Sequence, residues 1–418
     1  MRNIWPLLGA GLAACSLSGA PAPFAPQHSS ASQPVRGGYL SLYSFGKNGK
    51  SGDGIKPVAK LLPLVGMYGT TQYGGITTSV CFLGCGSVFR VTTSGAETIL
   101  YRFKGGSDGI APTAELIPVG SALFGTTSHG GTGPCSGGCG TVFKLDPVHK
   151  LESVIYAFKG GKDGAIPFAR LTAFGSLLYG TTEYGGTHGG VCFKGCGTVF
   201  EIDPKARRER VIYRFKGGND GTVPLAELIS VAGAFYGTTQ YGGTATQLCS
   251  IGCGTVFRLD AHGSERLVHR FVFKPGSPDG AYPAAGVTVI NGALYGTTLG
   301  GGKAGVGTIF AVNERSGKER VIHSFACCNQ VGDGAEPLAP LRNLNGTLYG
   351  TTRGGGANGL GSVFESTPAG VESVLYSFGS EPDGATPQAG LTVIGGLLYG
   401  STSFGGQNGE GTVFRLTP

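Results

Sequence analysis

Apolar and polar positions alternate along this chain in short runs, and the runs come in sets of four. One set occupies residues 167–174 (PFARLTAF), 176–182 (SLLYGTT), 197–203 (GTVFEID) and 209–215 (ERVIYRF). In the third run Thr198, Phe200 and Ile202 alternate with Val199 and Glu201, the period of two expected of a strand with distinct faces. The fourth run alternates in the same way. The first opens on Pro167, which suits a strand's first residue because proline has no ladder donor. The pattern predicts an all-β chain built of four-stranded antiparallel units.

The set recurs. The Gly of the [YF]GTT or YGST core falls at Gly69, Gly125, Gly180, Gly237, Gly296, Gly350 and Gly400, in steps of 56, 55, 57, 59, 54 and 50 residues. The Asp of an Asp-Gly pair falls at Asp53, Asp108, Asp163, Asp220, Asp279, Asp333 and Asp383, in steps of 55, 55, 57, 59, 54 and 50. Two rulers thus agree on seven units. Units of this kind cannot bury an apolar face alone, and seven sets of four short strands predict a seven-bladed β-propeller. A parallel solenoid would have a shorter period, and the chain ends point to closure. Residues 39–45 (YLSLYSF) form a fourth-type run with nothing before it, and residues 411–418 (GTVFRLTP) a third-type run with nothing after it. Pairing the two completes the last blade and covers an otherwise open sheet edge.

The order of strand, apolar-Tyr-Gly run, Gly-Gly loop, Val-Phe strand and fourth strand resembles a kelch-type blade without the kelch Trp. The longer pattern LYGTTxxGG…GTVF with YxFxGGxDGAxP resembles the Gloeo/Verruco (GloVer) tandem repeat of bacterial secreted and anchored proteins, over about residues 39–418. That resemblance implies an exported or cell-surface propeller and no established reaction.

The N-terminus adds an address. Arg2 precedes an apolar run from Ile4 to Ala14, so residues 1–15 read as a signal peptide. The tetrad Leu12-Ala13-Ala14-Cys15 resembles a bacterial lipobox, which would make Cys15 a lipid anchor; the alternative is an ordinary signal cleaved after Ala20 or Ala22. Residues 16–37, rich in Ser, Ala and Pro, read as a flexible tether to the propeller at 38–418. No later stretch is long and apolar enough to span a bilayer, so membrane attachment is expected through lipid only. The expected place is the outer membrane, periplasm or cell surface, or otherwise the secreted fraction.

Only 14% of the 418 residues are charged and 79 are Gly, a turn-dense composition in which strands are covered mostly by protein. The net charge of +7 is modest for this length. It permits attraction to anionic surfaces, but no clustered basic stripe marks a nucleic-acid footprint, and no nucleic-acid partner is expected.

Eleven cysteines sharpen the export reading. Beyond Cys15, eight form C-x3-C pairs: Cys81/Cys85, Cys135/Cys139, Cys192/Cys196 and Cys249/Cys253. In an oxidising compartment, without zinc-ligand spacing, these are expected to be disulfides. Cys327 and Cys328 are adjacent; they either close a vicinal ring, favoured because every other Cys has a near neighbour, or each pair at a distance.

Residues repeated in every unit are most economically structural. The Asp of Asp-Gly is expected to close a tight turn, and the Tyr of LYGTT, such as Tyr179 and Tyr236, to pack between blades. His269 and His323 stand where other copies have Tyr, and no metal, cofactor or catalytic motif is expected. Departures from the repeat carry more information. From the GTT Gly to the Val-Phe Phe the spacings are 20, 18, 20, 20, 14, 14 and 14 residues. The four Cys-bearing loops are therefore the long ones, and they sit on adjacent blades. They are expected to wall one side of the face on which blade-to-blade loops also emerge, bringing Lys104, Lys159, Lys216 and Lys274 beside them. Glu183 and His188, unrepeated and in the third wall, are the acid and imidazole singled out on that face. The expectation is a monomeric, non-enzymatic binding module for an anionic polysaccharide or an envelope protein. The alternatives are a glycan-active enzyme, which would need unrepeated carboxylates converging on the axis, and a purely structural envelope protein.

Overall fold

A computed structural model describes residues 38–47, 52–326, 332–379 and 381–418. The signal, tether and Cys15, and the pair Cys327 and Cys328, lie outside the described residues. The rest forms seven four-stranded antiparallel sheets in a closed ring. In chain order the blades comprise residues 62–102, 117–157, 172–214, 229–270, 288–324, 342–377 and 392–416, the last completed by Leu40–Ser44. That N-terminal strand pairs antiparallel with Thr412–Leu416, Leu40 opposite Arg415 and Ser44 opposite Thr412. The ring closes where the sequence ends predicted.

The GTT and Val-Phe motifs explain why the blades assemble. A Cβ on Gly180 would lie 2.5 Å from Cζ of Phe200, so only Gly lets that ring cross the second strand. The first Thr reaches the next blade: Thr126 Oγ1 donates to the Ala169 carbonyl and Thr181 Oγ1 to that of Ala226, and at the closure Ser401 Oγ donates to Ala59. The second Thr binds its own third strand, as in Thr182 to Thr198 at 2.8 Å. Between blades, the fourth-strand Phe of one meets the third-strand Phe of the next edge to face. Phe103–Phe143 and Phe158–Phe200 are typical at 5.1 and 5.0 Å, and Phe45–Phe89, at 4.9 Å, joins the last blade to the first. These rings are fully buried. Burying each contributes roughly 1.5–3 kcal/mol, so apolar burial between blades outweighs any single hydrogen bond in holding the ring.

Two expectations about strands need correction. The first strand is only Thr172–Phe174, because residues 167–171 form no ladder and the Ala169 carbonyl instead accepts from Thr126 of the preceding blade. The fourth strand does not alternate throughout: Val199 faces Tyr213 while Phe200 faces Val211, leaving Ile212 as a bulge, and every blade repeats it at the same place. The bulge turns the Tyr and Phe of YxF toward the next blade.

The Asp-Gly turn is borne out and does more than turn. Asp108 Oδ2 accepts from the backbone N–H of Lys104 at 2.6 Å, while Oδ1 accepts from the Tyr101 hydroxyl at 2.8 Å. Each Asp thereby ties the loop to the fourth strand. Tyr179 is buried against Phe235 of the next blade at 4.4 Å, as inter-blade packing requires.

Candidate functional site

The second-to-third loops and the blade-to-blade loops lie on one face and hydrogen-bond to each other: Ile55 and Tyr73 exchange backbone bonds, and Gly186 donates to Gly161. The pairs Cys81–Cys85, Cys135–Cys139, Cys192–Cys196 and Cys249–Cys253 are all disulfide-bonded, with Cα separations of 5.0–5.2 Å. Each staple seats against the turn that follows the fourth strand of its own blade. A Cβ on Gly160 would lie 3.1 Å from both Cys135 Sγ and Cys139 Sγ, and Gly160 holds φ at 69°. That Gly is required twice, by space and by the left-handed backbone.

Within the loops expected to wall this face, the staples themselves are buried. Cys85, Cys139, Cys196 and Cys253 are fully buried and belong to the apolar clusters between blades, Cys85 beside Phe103 and Cys196 beside Phe215. The reason lies in the backbone. The carbonyl of each second Cys accepts from the run that opens the next blade: Cys85 from Ala111 at 2.9 Å, Cys139 from Ile166 at 2.9 Å, Cys196 from Val223 at 3.0 Å and Cys253 from Tyr282 at 2.7 Å. Cys81, Cys192 and Cys249 are buried with them, and only Cys135 is partly exposed. The disulfides are therefore core anchors that hold up the loops, and what faces outward is the chain between and just before the two Cys.

Lys104, Lys159, Lys216 and Lys274 are exposed beside these staples. Lys104 and Lys159 lie 5.8 Å over the rings of Tyr101 and Tyr156, toward the outer rim. Glu183 is half-buried, and burial raises its carboxyl above the usual range against the pull of Tyr184 and Lys194. Lys194, inside the third staple, sits 5.0 Å over the Tyr184 ring. His188 is exposed on the same loop, and no hydrogen bond or ion pair joins it to Glu183 among the described residues. The structure therefore gathers the lysines and Glu183 on one face but forms no acid–imidazole pair.

Sequence reading missed the apolar tips of the stapled loops. Val80 and Phe82 in the first, Val191 and Phe193 in the third, and Leu248 and Ile251 in the fourth are exposed, the two Phe at 72% and 73%. Their signal lay in the hydrophobic residues inside and just before C-x3-C, which alternation alone assigns to neither core nor surface. With Phe404, 40% exposed, and half-buried Tyr73, Tyr184, Tyr241 and Tyr282, the face is rich in rings.

A second cluster, also missed, occupies the axis. The residue after the repeated Ala of the first run is Lys60, Glu115, Arg170, Glu227, Gly286, Pro340 and Gly390 in the seven blades. Ring closure brings these together. Glu115 Oε2 pairs with Lys60 Nζ at 3.4 Å and Arg170 Nε at 3.2 Å. Its burial raises the carboxyl, aided by nearby Glu227 and opposed by the two cations. The glycines make room, since a Cβ on Gly286 would lie 2.7 Å from Glu227 Cγ. Beyond them a cavity of about 310 Å³, lined by Lys60, Glu227, Arg342 and aliphatic side chains of blades four to seven, follows the first strands away from the stapled face.

The sequence matches the Gloeobacter/Verrucomicrobia repeat over residues 32–193, 136–341 and 327–418. The chain belongs to this repeat family. No curated protein matches the sequence. Among solved structures, the repeat protein is similar to an oligogalacturonate lyase from Vibrio parahaemolyticus (10% identity, TM-score 0.50, 92% of this chain and 97% of that one). It is also similar to a puromycin-hydrolyzing peptidase from Mycobacterium tuberculosis (12%, 0.52, covering 88% and 52%) and to TolB from Acinetobacter baumannii (12%, 0.38, covering 68% and 58%). The chain thus spans little more than half the length of the last two. At these identities the likeness is one of fold.

Proposed function

We propose that this repeat protein is an exported binding module, held at the cell envelope by a lipid on Cys15, whose stapled face engages an anionic polysaccharide. The observation that carries the reading is the exposure of Phe82 and Phe193 at the tips of disulfide-closed loops. An exposed phenyl ring gains stability only when something covers it, at roughly 25 cal/mol per Å² of apolar area. A five-residue disulfide loop anchored in the core fixes such a ring before the partner arrives and lowers the ordering cost of binding. Sugar rings present apolar faces that stack on aromatic side chains, while their carboxylates meet Lys104, Lys159, Lys194 and Lys216.

The test is retention of the full mature domain on immobilised alginate, with neutral dextran as the control. The parent is expected to be retained on alginate at low salt and released as the Debye length falls to about 10 Å near 0.1 M. Phe82→Ser/Phe193→Ser and Lys104→Ala/Lys159→Ala/Lys216→Ala are each expected to reduce retention with little change in melting. Retention of both variants equal to the parent would remove the reading. A catalytic alternative is favoured by Glu115 beside Glu227 on the axis; turnover of a retained polymer, lost in Glu227→Gln, would establish it.

A further inference from the structure

At each junction between blades the fourth-strand aromatic of one blade, the Asp of the following turn and a residue on the next blade's fourth strand come together. At most junctions the set is Tyr, Asp and Glu, as in Tyr101, Asp108 and Glu152. Two junctions replace Tyr by His, and they differ from each other. His269 turns Nδ1 onto the Gly317 carbonyl at 3.2 Å. His323 instead presents Nε2 to Asp333 Oδ2 at 3.4 Å and to Glu372 Oε2 at 3.9 Å. One donor atom from each of His323, Asp333 and Glu372 lies within 4.8 Å of the others.

We propose that His323, Asp333 and Glu372 form a divalent-metal site, with zinc the cation its donors fit best. Ligands bound to one tetrahedral zinc at about 2.0–2.1 Å lie roughly 3.3 Å apart, close to the His–Asp separation here. One imidazole and two carboxylates are a zinc donor set that leaves a fourth position open. The site also contains groups with unmet needs. Glu372 has a side chain only 9% exposed, and its Oε1 and His323 Nε2 make no hydrogen bond among the described residues, as is also true of Glu319 Oε1 and His269 Nε2; what sets this junction apart is that His323 Nε2 faces both carboxylates. Burying polar atoms without partners is unfavourable, and a shared cation would offset that here. The supporting shell is in place: Asp333 Oδ2 accepts from the Ala326 N–H and Oδ1 from that of Gly334, both at 2.7 Å. The His323 ring stands edge-on to Phe325 with centroids 4.9 Å apart. Because the ligands come from two blades and the turn between them, the ion would clamp that junction.

The bland reading is that His323 merely stands in for Tyr. His323→Tyr separates the two, since Tyr376 donates to Asp383 in the equivalent place at 2.8 Å and the variant should fold. Zinc titration of the full mature domain by calorimetry is expected to show one equivalent bound per chain, with a rise in melting temperature. His323→Tyr and Glu372→Gln are expected to weaken it more than tenfold, since loss of even an outer-sphere partner costs about 10–100-fold. His269→Tyr should leave it unchanged. Cobalt in place of zinc should give weak visible bands of a nitrogen–oxygen set. Absence of saturable binding, His323→Tyr binding as the parent does, or an intense thiolate band assigning the ion to Cys327 and Cys328 would each overturn the proposal.

Discussion

A single methyl group decides whether the second strand can lie where it does. Gly180 faces the edge of Phe200, and a Cβ there would approach to 2.5 Å. Gly180→Ala is therefore expected to destabilise by about 1–3 kcal/mol through overpacking. Thr181→Val keeps the shape but removes the donor to the Ala226 carbonyl, leaving a buried acceptor unpaired at a cost of about 1–3 kcal/mol. Chemical denaturation of both variants checks this; values within about 0.5 kcal/mol of the parent, as for ordinary surface changes, would refute the roles assigned. The sequence showed that Gly, Thr and Thr recur, and their smallness was legible. Their three separate duties were not, because each partner lies on another strand or another blade. The same holds for Cys85, Cys196 and Cys253: their pairing could be read from spacing, but their burial follows from a bond to the next blade.

The inter-blade junction is where proton chemistry and stability meet. Burial and the neighbouring Asp raise Glu152 and Glu209 to about 8, and Glu97, Glu265 and Glu319, chiefly by burial, to about 7. A carboxyl whose folded value exceeds its unfolded one binds its proton more tightly in the native ring. Its stabilising contribution is complete below about pH 4.5 and is lost as pH rises toward 7–8. Burial lowers His129 and His269, which acts in the opposite sense below about pH 6.5; the raised carboxyls, Glu115 and Glu183 among them, outnumber these two imidazoles and leave the first trend dominant. Thermal melts are expected to show the ring losing stability from pH 5 to pH 8.5, and Glu152→Gln/Glu209→Gln to flatten that slope. A melting temperature that rises over this range, or a slope unchanged in the variant, would contradict the assignment. These Glu escaped sequence reading because a Glu at the start of an alternating strand looks like a solvated edge residue; only the neighbouring blade's Asp gives it a partner. The bulge at Ile212 escaped for a related reason, since it is a defect of pairing that side-chain polarity does not record.

At the scale of the whole molecule, blade number, closure and the common face of the long loops were all readable, because each follows from period and spacing. The axial set of Lys60, Glu115, Arg170 and Glu227 was not. Its members lie about one repeat apart and meet only after the ring closes, and their sole signal was one variable position in an otherwise regular run. The proposed function makes the stapled side of the ring a binding surface. Hydrogen exchange of the full mature domain, with and without alginate at low salt, tests it most directly. Slowed exchange is predicted in the stapled loops around Phe82, Phe193 and Ile251, with the first-to-second-strand turns of the opposite face unchanged. Unaltered exchange throughout, or protection confined to that opposite face, would contradict the claim.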